Sequence, residues 1–144
     1  MKKKIAALGA IILAVIAVYI FYQDSLPPRT PHKVARLISG LSIPDDSRVI
    51  EFKDQWNDLN GNGFSFIVIQ LDDKSFNKIY QEARESDYKA LPITEGVYGP
   101  LKDISKKKVA GIYKVNFDDE ATKSFNAAML SNDDRRILVY FSVN

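Results

Sequence analysis

The chain has 144 residues, 46% hydrophobic and 26% charged, with a formal net charge of +2, one histidine and no cysteine. That length accommodates one domain and excludes a large multidomain enzyme. Without cysteine there is neither a disulfide framework nor a thiolate-ligated zinc or iron–sulfur site, and one histidine excludes a centre of paired imidazoles.

These averages join two unlike parts. Residues 1–4 form a basic tip, Lys2, Lys3 and Lys4, and residues 5–22 read IAALGAIILAVIAVYIFY without a charge. As a helix, this run reaches about 27 Å, close to the hydrocarbon thickness of a bilayer. No polar stripe recurs at helical spacing, which excludes an amphipathic surface helix, and Tyr19, Phe21 and Tyr22 cluster where aromatic rings favour the membrane boundary. Ala14 and Ala17 have the wrong spacing for signal cleavage, so an uncleaved signal anchor is expected rather than a secretory leader. The three lysines place the N-terminus in the cytoplasm and the rest of the chain outside it, as a single-pass protein of the cell membrane. Beyond residue 22 the charges nearly balance, with 17 basic and 18 acidic residues, so no nucleic-acid-binding face is expected.

Residues 23–31, QDSLPPRTP, carry three prolines and read as an extended linker before a domain of residues 32–144. Thr30 is placed to cap a short helix with Pro31 at its first position, Val34, Leu37, Ile38 and Leu41 forming one apolar face. Gly40 supplies a left-handed stop. His32, beside the first turn, reads as a linker histidine with no second ligand for a metal and no serine in a nucleophile-elbow setting.

Residues 48–53, RVIEFK, alternate as a strand, whereas 64–71, FSFIVIQL, are apolar on both faces as in a central strand. The intervening DQWNDLNGNG makes the pair a hairpin with a long loop. Asp72 or Asp73 begins a helix to about Ser86, with Phe76, Ile79, Tyr80 and Ala83 at the helical period. Residues 87–108 show no regular element, and strands are expected at 109–117 and 136–143. Residues 118–131 are ambiguous and lean to strand, because SNDDR after them is a hairpin turn signal. The expected fold is α+β: an N-terminal transmembrane helix, then an antiparallel sheet of four or five strands packed with one main helix and one short N-terminal helix.

Asp58-Leu-Asn60-Gly-Asn62-Gly63 resembles the opening of an EF-hand calcium loop, with oxygen side chains at positions 1, 3 and 5 and glycine at 6. Position 12, where a bidentate glutamate would close the site, is Ile69, and a strand replaces the second helix. The residues therefore read as a hairpin loop, and neither a metal nor a cofactor is expected. Trp56 beside these amides suggests an aromatic platform for a glycan, against the simpler reading of a lid on the core. The acidic pairs Asp45–Asp46, Asp72–Asp73, Asp118–Asp119–Glu120 and Asp133–Asp134 fall where helices or turns begin, and capping explains them better than paired catalysis. Lys102 and Lys106 to Lys108 read as a solvated loop rather than a lipid-headgroup site.

Tyr88 to Leu101, YKALPITEGVYGPL, is long for a loop and carries tyrosines suited to interface contacts. The candidate contact residues are therefore Trp56, Tyr88, Leu91, Tyr98 and Leu101. Together these features point to a membrane-anchored extracytoplasmic accessory module that binds another protein and is not an enzyme. A ligand or glycan sensor and a membrane-tethered immunity or inhibitor protein are the alternatives, and a hydrolase ranks last.

Overall fold

A computed structural model describes residues 2–22, 29–57, 61–94, 103, 106, 110–119 and 124–143, with the side chains of 2–8 and 118–119 left aside. Helix α1 runs Lys2–Tyr22. Helix α2, Pro31–Ser39, starts as the residues dictate: Thr30 Oγ1 accepts from Lys33 N at 3.3 Å, Pro31 follows, and Gly40 ends the helix at φ 70°. Helix α3 spans Asp73–Arg84 behind an Asp72 cap, whose carboxylate accepts from Ser75 N at 2.8 Å. Those acceptor bonds, the backbone amide of Ser75 foremost, hold the Asp72 carboxyl below the ordinary carboxylate value.

Six strands form one antiparallel sheet: β1 Arg48–Trp56, β2 Gly63–Gln70, β3 Lys89–Ala90, β4 Gly111–Asp119, β5 Ser124–Ser131 and β6 Arg136–Val143. Their spatial order is β1-β2-β6-β5-β4-β3, so the last strand enters the centre, between β2 and β5. This corrects the expectation of four or five strands. The addition is β3, two exposed residues that pair Lys89 with Tyr113 and Ala90 with Ile112; a strand that short displays no alternation. Strand β1 also runs three residues further than its apolar pattern, because polar Asp54 and Gln55 can pair with β2 on an edge strand, Asp54 meeting Ser65 and Gln55 meeting Phe64. Of the ambiguous segment, Ser124–Ser131 form strand β5, and residues 132–135 turn back into β6 with Arg135 at φ 52°.

Both faces of the sheet are covered. On one, Val34, Ala35 and Leu41 of the α2 region and Phe76, Ile79 and Ala83 of α3 pack on Ile67, Ile69, Ile112, Ala128, Leu130, Ile137 and Val139. On the other, Phe66, Val68, Tyr113, Phe125, Met129, Leu138 and Tyr140 form a second cluster, with Leu91 and Ile93 packed against it. This explains why β2, β5 and β6 read as apolar on alternate and adjacent positions alike.

Helix α1 stands apart in character. Every described side chain from Gly9 to Tyr22 is exposed, Leu13 by 69% and Phe21 by 84%. Among the described residues no helix is long and apolar enough to cross a membrane. The fold therefore supports the α+β domain and leaves the transmembrane part of the expectation without structural support.

Candidate functional site

The densest polar arrangement lies where β1 and β2 meet the chain entering α2. Alternation along β1 brings Asp54 and Trp56 to one face, opposite Ser65 and Gly63 of β2. The Trp56 ring leans on Phe141, with centroids 5.4 Å apart. A Cβ at Gly63 would lie 2.2 Å from the Gln55 carbonyl oxygen and 2.7 Å from Trp56 Cα, so only glycine lets the strands close here. The glycine that resembled an EF-hand position is thus required by strand packing.

Arg29 closes this corner. Its guanidinium carbon sits 5.2 Å from the centroid of the Trp56 ring, its Nη2 donates to Ser65 Oγ at 3.0 Å, and its Nε lies 3.3 Å from Asp54 Oδ2. Asp54 Oδ1 accepts from Trp56 Nε1 at 2.7 Å and from the Ser65 hydroxyl. Desolvation pushes the Asp54 carboxyl up, but the Ser65 and Trp56 hydrogen bonds and the Arg29 charge outweigh it and hold the group below the ordinary value. A carboxylate kept ionised and engaged in this way is a poor proton donor. Ser65 donates to Asp54 but is fully buried, so its hydroxyl is not presented to a substrate. The cluster acts as a clamp holding residue 29 against strands that are 25 and 36 positions away in sequence.

From the clamp, a cross-strand row continues along the same face: Asp54, Ser65, Phe141, Asn126, Asn116. Asn116 Nδ2 donates to Asn126 Oδ1 at 3.1 Å, with Asn126 half-buried and Asn116 exposed. Sequence reasoning reached Trp56 and missed Arg29, Asp54, Ser65 and Phe141, because their meeting is set by strand register.

The other expected contact residues do not join Trp56. Tyr88 packs against the helix-bearing core and donates its hydroxyl to the Ser39 carbonyl at 2.9 Å. Burial foremost, then the nearby Asp87 and Glu82 charges, raises its phenol well above the usual value. Leu91 packs on the opposite face of the sheet. Tyr98 and Leu101 lie outside the described residues.

Among the described residues no group of three or more His, Asp or Glu is placed to hold a metal, and Asp58 and Asn60 lie outside them. The described part of that loop closes through backbone bonds, Asn57 N to Asn62 O at 2.7 Å and Gly61 N to Asn57 O at 2.9 Å. His32 Nε2 donates to the Ser47 carbonyl at 2.8 Å, a packing role. Asp45 pairs with Arg36 at 2.8 Å, Asp73 with Arg135 at 2.9 Å, and Asp134 with Arg136 at 3.5 Å. Of the expected basic loop only Lys106 is described, and it is exposed; Lys102, Lys107 and Lys108 lie outside the described residues, as does Glu120.

Outside α1, the large apolar side chains exposed among the described residues are Leu37, Ile50 and Phe52. Two of the three lie on β1, which among the described residues pairs with β2 alone and forms an edge of the sheet, with a bulge between Val49 and Glu51. No family model, curated protein or solved structure matches the chain.

Proposed function

We propose that this protein is a single-pass, membrane-anchored module whose domain binds another protein and performs no catalysis. The observation that carries the anchor is α1, a helix apolar around its whole described circumference, whose described side chains are all exposed. In water that exposure is costly, and lipid removes the cost. The apolar run from Ile5 to Tyr22 and the lysines before it support the same reading, with the domain outside the cytoplasm.

Partner binding is placed on the open β1 edge. An extended segment of a partner adding to that edge would gain main-chain hydrogen bonds and cover Ile50 and Phe52. Trp56, at the end of the same strand, stays among the proposed contact residues. The glycan reading loses its platform, because Arg29 already occupies space over the Trp56 ring.

Photocrosslinkers at Phe52 and at Asp133, in the intact protein in its native membrane, test this assignment. A specific protein adduct from position 52 and none from 133 is the expected result. Absence of an adduct at 52, or equal capture at both positions, would sink the β1 assignment. Release of the full chain from membranes by alkaline extraction would sink the anchor.

A further inference from the structure

We infer that Arg29 is a positioning clamp that turns the Trp56 end of the sheet toward the bilayer and the β5–β6 turn away from it. The inference rests on the membrane-anchored reading and adds an orientation to it. Two geometric facts carry it. First, the last residue of α1 is Tyr22 and the clamped residue is Arg29, so seven peptide steps separate them and reach at most about 25 Å when fully extended. Second, Arg29 is fixed to one end of the sheet, by an ion pair with Asp54, a hydrogen bond to Ser65 and the face of Trp56.

The strands convert that fixed point into an orientation. Strand β1 ends at Trp56 and β2 starts at Gly63, so both ends meet at the clamp. The opposite end carries Gln70, the 132–135 turn and the start of α3, joined by Gln70 Nε2 to Asp134 O at 2.7 Å and Arg135 to Asp73 at 2.9 Å. The seven steps from Gly63 to Gln70 separate the two ends by about 23 Å. With the chain entering at the Trp56 end, the tether limits how far that end can rise from the membrane. The far end carries no such limit. The clamp uses a guanidinium fork on a carboxylate and a hydroxyl, with an aromatic face beneath it, and lysine cannot reproduce that geometry.

Trp56 is the single tryptophan of the chain, so its fluorescence reports on this site alone. The test reconstitutes the full chain in phosphatidylcholine vesicles, with and without a lipid spin-labelled at its headgroup. Quenching is taken as the ratio of the two intensities, which cancels the direct effect of Arg29 on the indole. A second reporter protein combines Trp56→Phe with Asn132→Trp, at an exposed turn position on the far end. The expected result is strong quenching at position 56, little at position 132, and a smaller difference in Arg29→Ala and Arg29→Lys, in which Thr30 and the docked α2 still hold the chain. Circular dichroism confirms that the variants fold. Equal quenching at the two positions, or a difference undiminished in Arg29→Ala, overturns the clamp and leaves the anchor standing. Failure of the unmodified chain to float with vesicles overturns the anchored reading itself, and the orientation with it.

Discussion

Helix α1 and helix α3 are opposite solutions for an apolar helix. Helix α3 confines Phe76, Ile79 and Ala83 to one buried stripe and leaves Lys74, Lys78 and Gln81 in solvent, so the sheet completes it. Helix α1 places Ile, Leu, Val, Tyr and Phe on every side, exposed by 48% to 84%, and none of its described side chains is buried. One helix buries its apolar face within the chain, and the other leaves its described apolar side chains exposed. Each region should therefore respond to a different class of perturbation, and five substitutions separate them.

The largest effect belongs to the domain. Phe125 is 1% exposed and packs on Tyr140 and Phe117 at centroid distances of 5.3 and 5.8 Å. Phe125→Ala should cost about 3–5 kcal/mol, through lost transfer energy and the cavity left behind. Urea unfolding followed by Trp56 fluorescence measures this, and membrane association of the variant should not change while the domain remains folded.

Leu13→Lys is the reciprocal test. A lysine near the centre of a membrane helix costs about 3 kcal/mol of insertion free energy relative to leucine. The fraction resisting alkaline extraction should fall, with the urea midpoint of the domain unmoved. A lowered midpoint would mean that α1 packs on the domain, and the contrast between the two helices would fail.

Two glycines repeat the comparison at smaller scale. A Cβ at Gly9 meets nothing within 4 Å, whereas one at Gly63 meets the backbone of Gln55 and Trp56. Gly63→Ala should destabilise the domain by about 1–3 kcal/mol, as overpacking does. Gly9→Ala should leave domain stability unchanged. Equal behaviour of the two variants in urea would refute the close approach of β1 to β2 at Trp56.

The parts of this architecture that the sequence displays are those determined locally. Thr30, Pro31 and Gly40 bound α2 because capping depends on residues within one turn, and Asp72 begins α3 for the same reason. Phe64 to Gln70 reveal a central strand because burial on both faces demands an unbroken apolar run. Strand β5 reads ambiguously because Asn126, Ala127 and Ala128 suit helix and strand alike, and only pairing with β4 and β6 decides. Strand β3 is too short to carry a period. The clamp is the furthest from view: Trp56 is conspicuous, but its partners Arg29 and Ser65 come from separate elements, joined by a register no local pattern encodes. Tyr88 is equivocal from its residue type alone, since a tyrosine suited to an interface is equally suited to bonding a buried helix-end carbonyl.

The smallest expected effect concerns protons, and it divides the molecule most cleanly. Helix α1 contains no carboxylate, so its association with a membrane should not vary between pH 6 and 3. The domain should vary. Asp54 holds its carboxyl below the ordinary value of 3.8, so the native state binds that proton less readily than the unfolded chain. The resulting stabilisation is complete well above pH 3.8 and disappears as the pH falls through 3.8 toward the lower native value. Asp54→Asn keeps an acceptor for Trp56 Nε1 but removes the charge that Arg29 meets. Its urea midpoint should lie below that of the unmodified protein at pH 6, and the two should converge as the solution is acidified. Asp45 and Asp87, lowered chiefly by hydrogen bonds from Arg36 and Lys114, contribute acid sensitivity to both proteins and so cancel in the difference. A gap of constant size across the range would mean that Asp54 acts through packing alone. A gap that closes assigns the charge of Asp54 to the clamp, and ties the acid response of the domain to the residue through which the chain from α1 enters it.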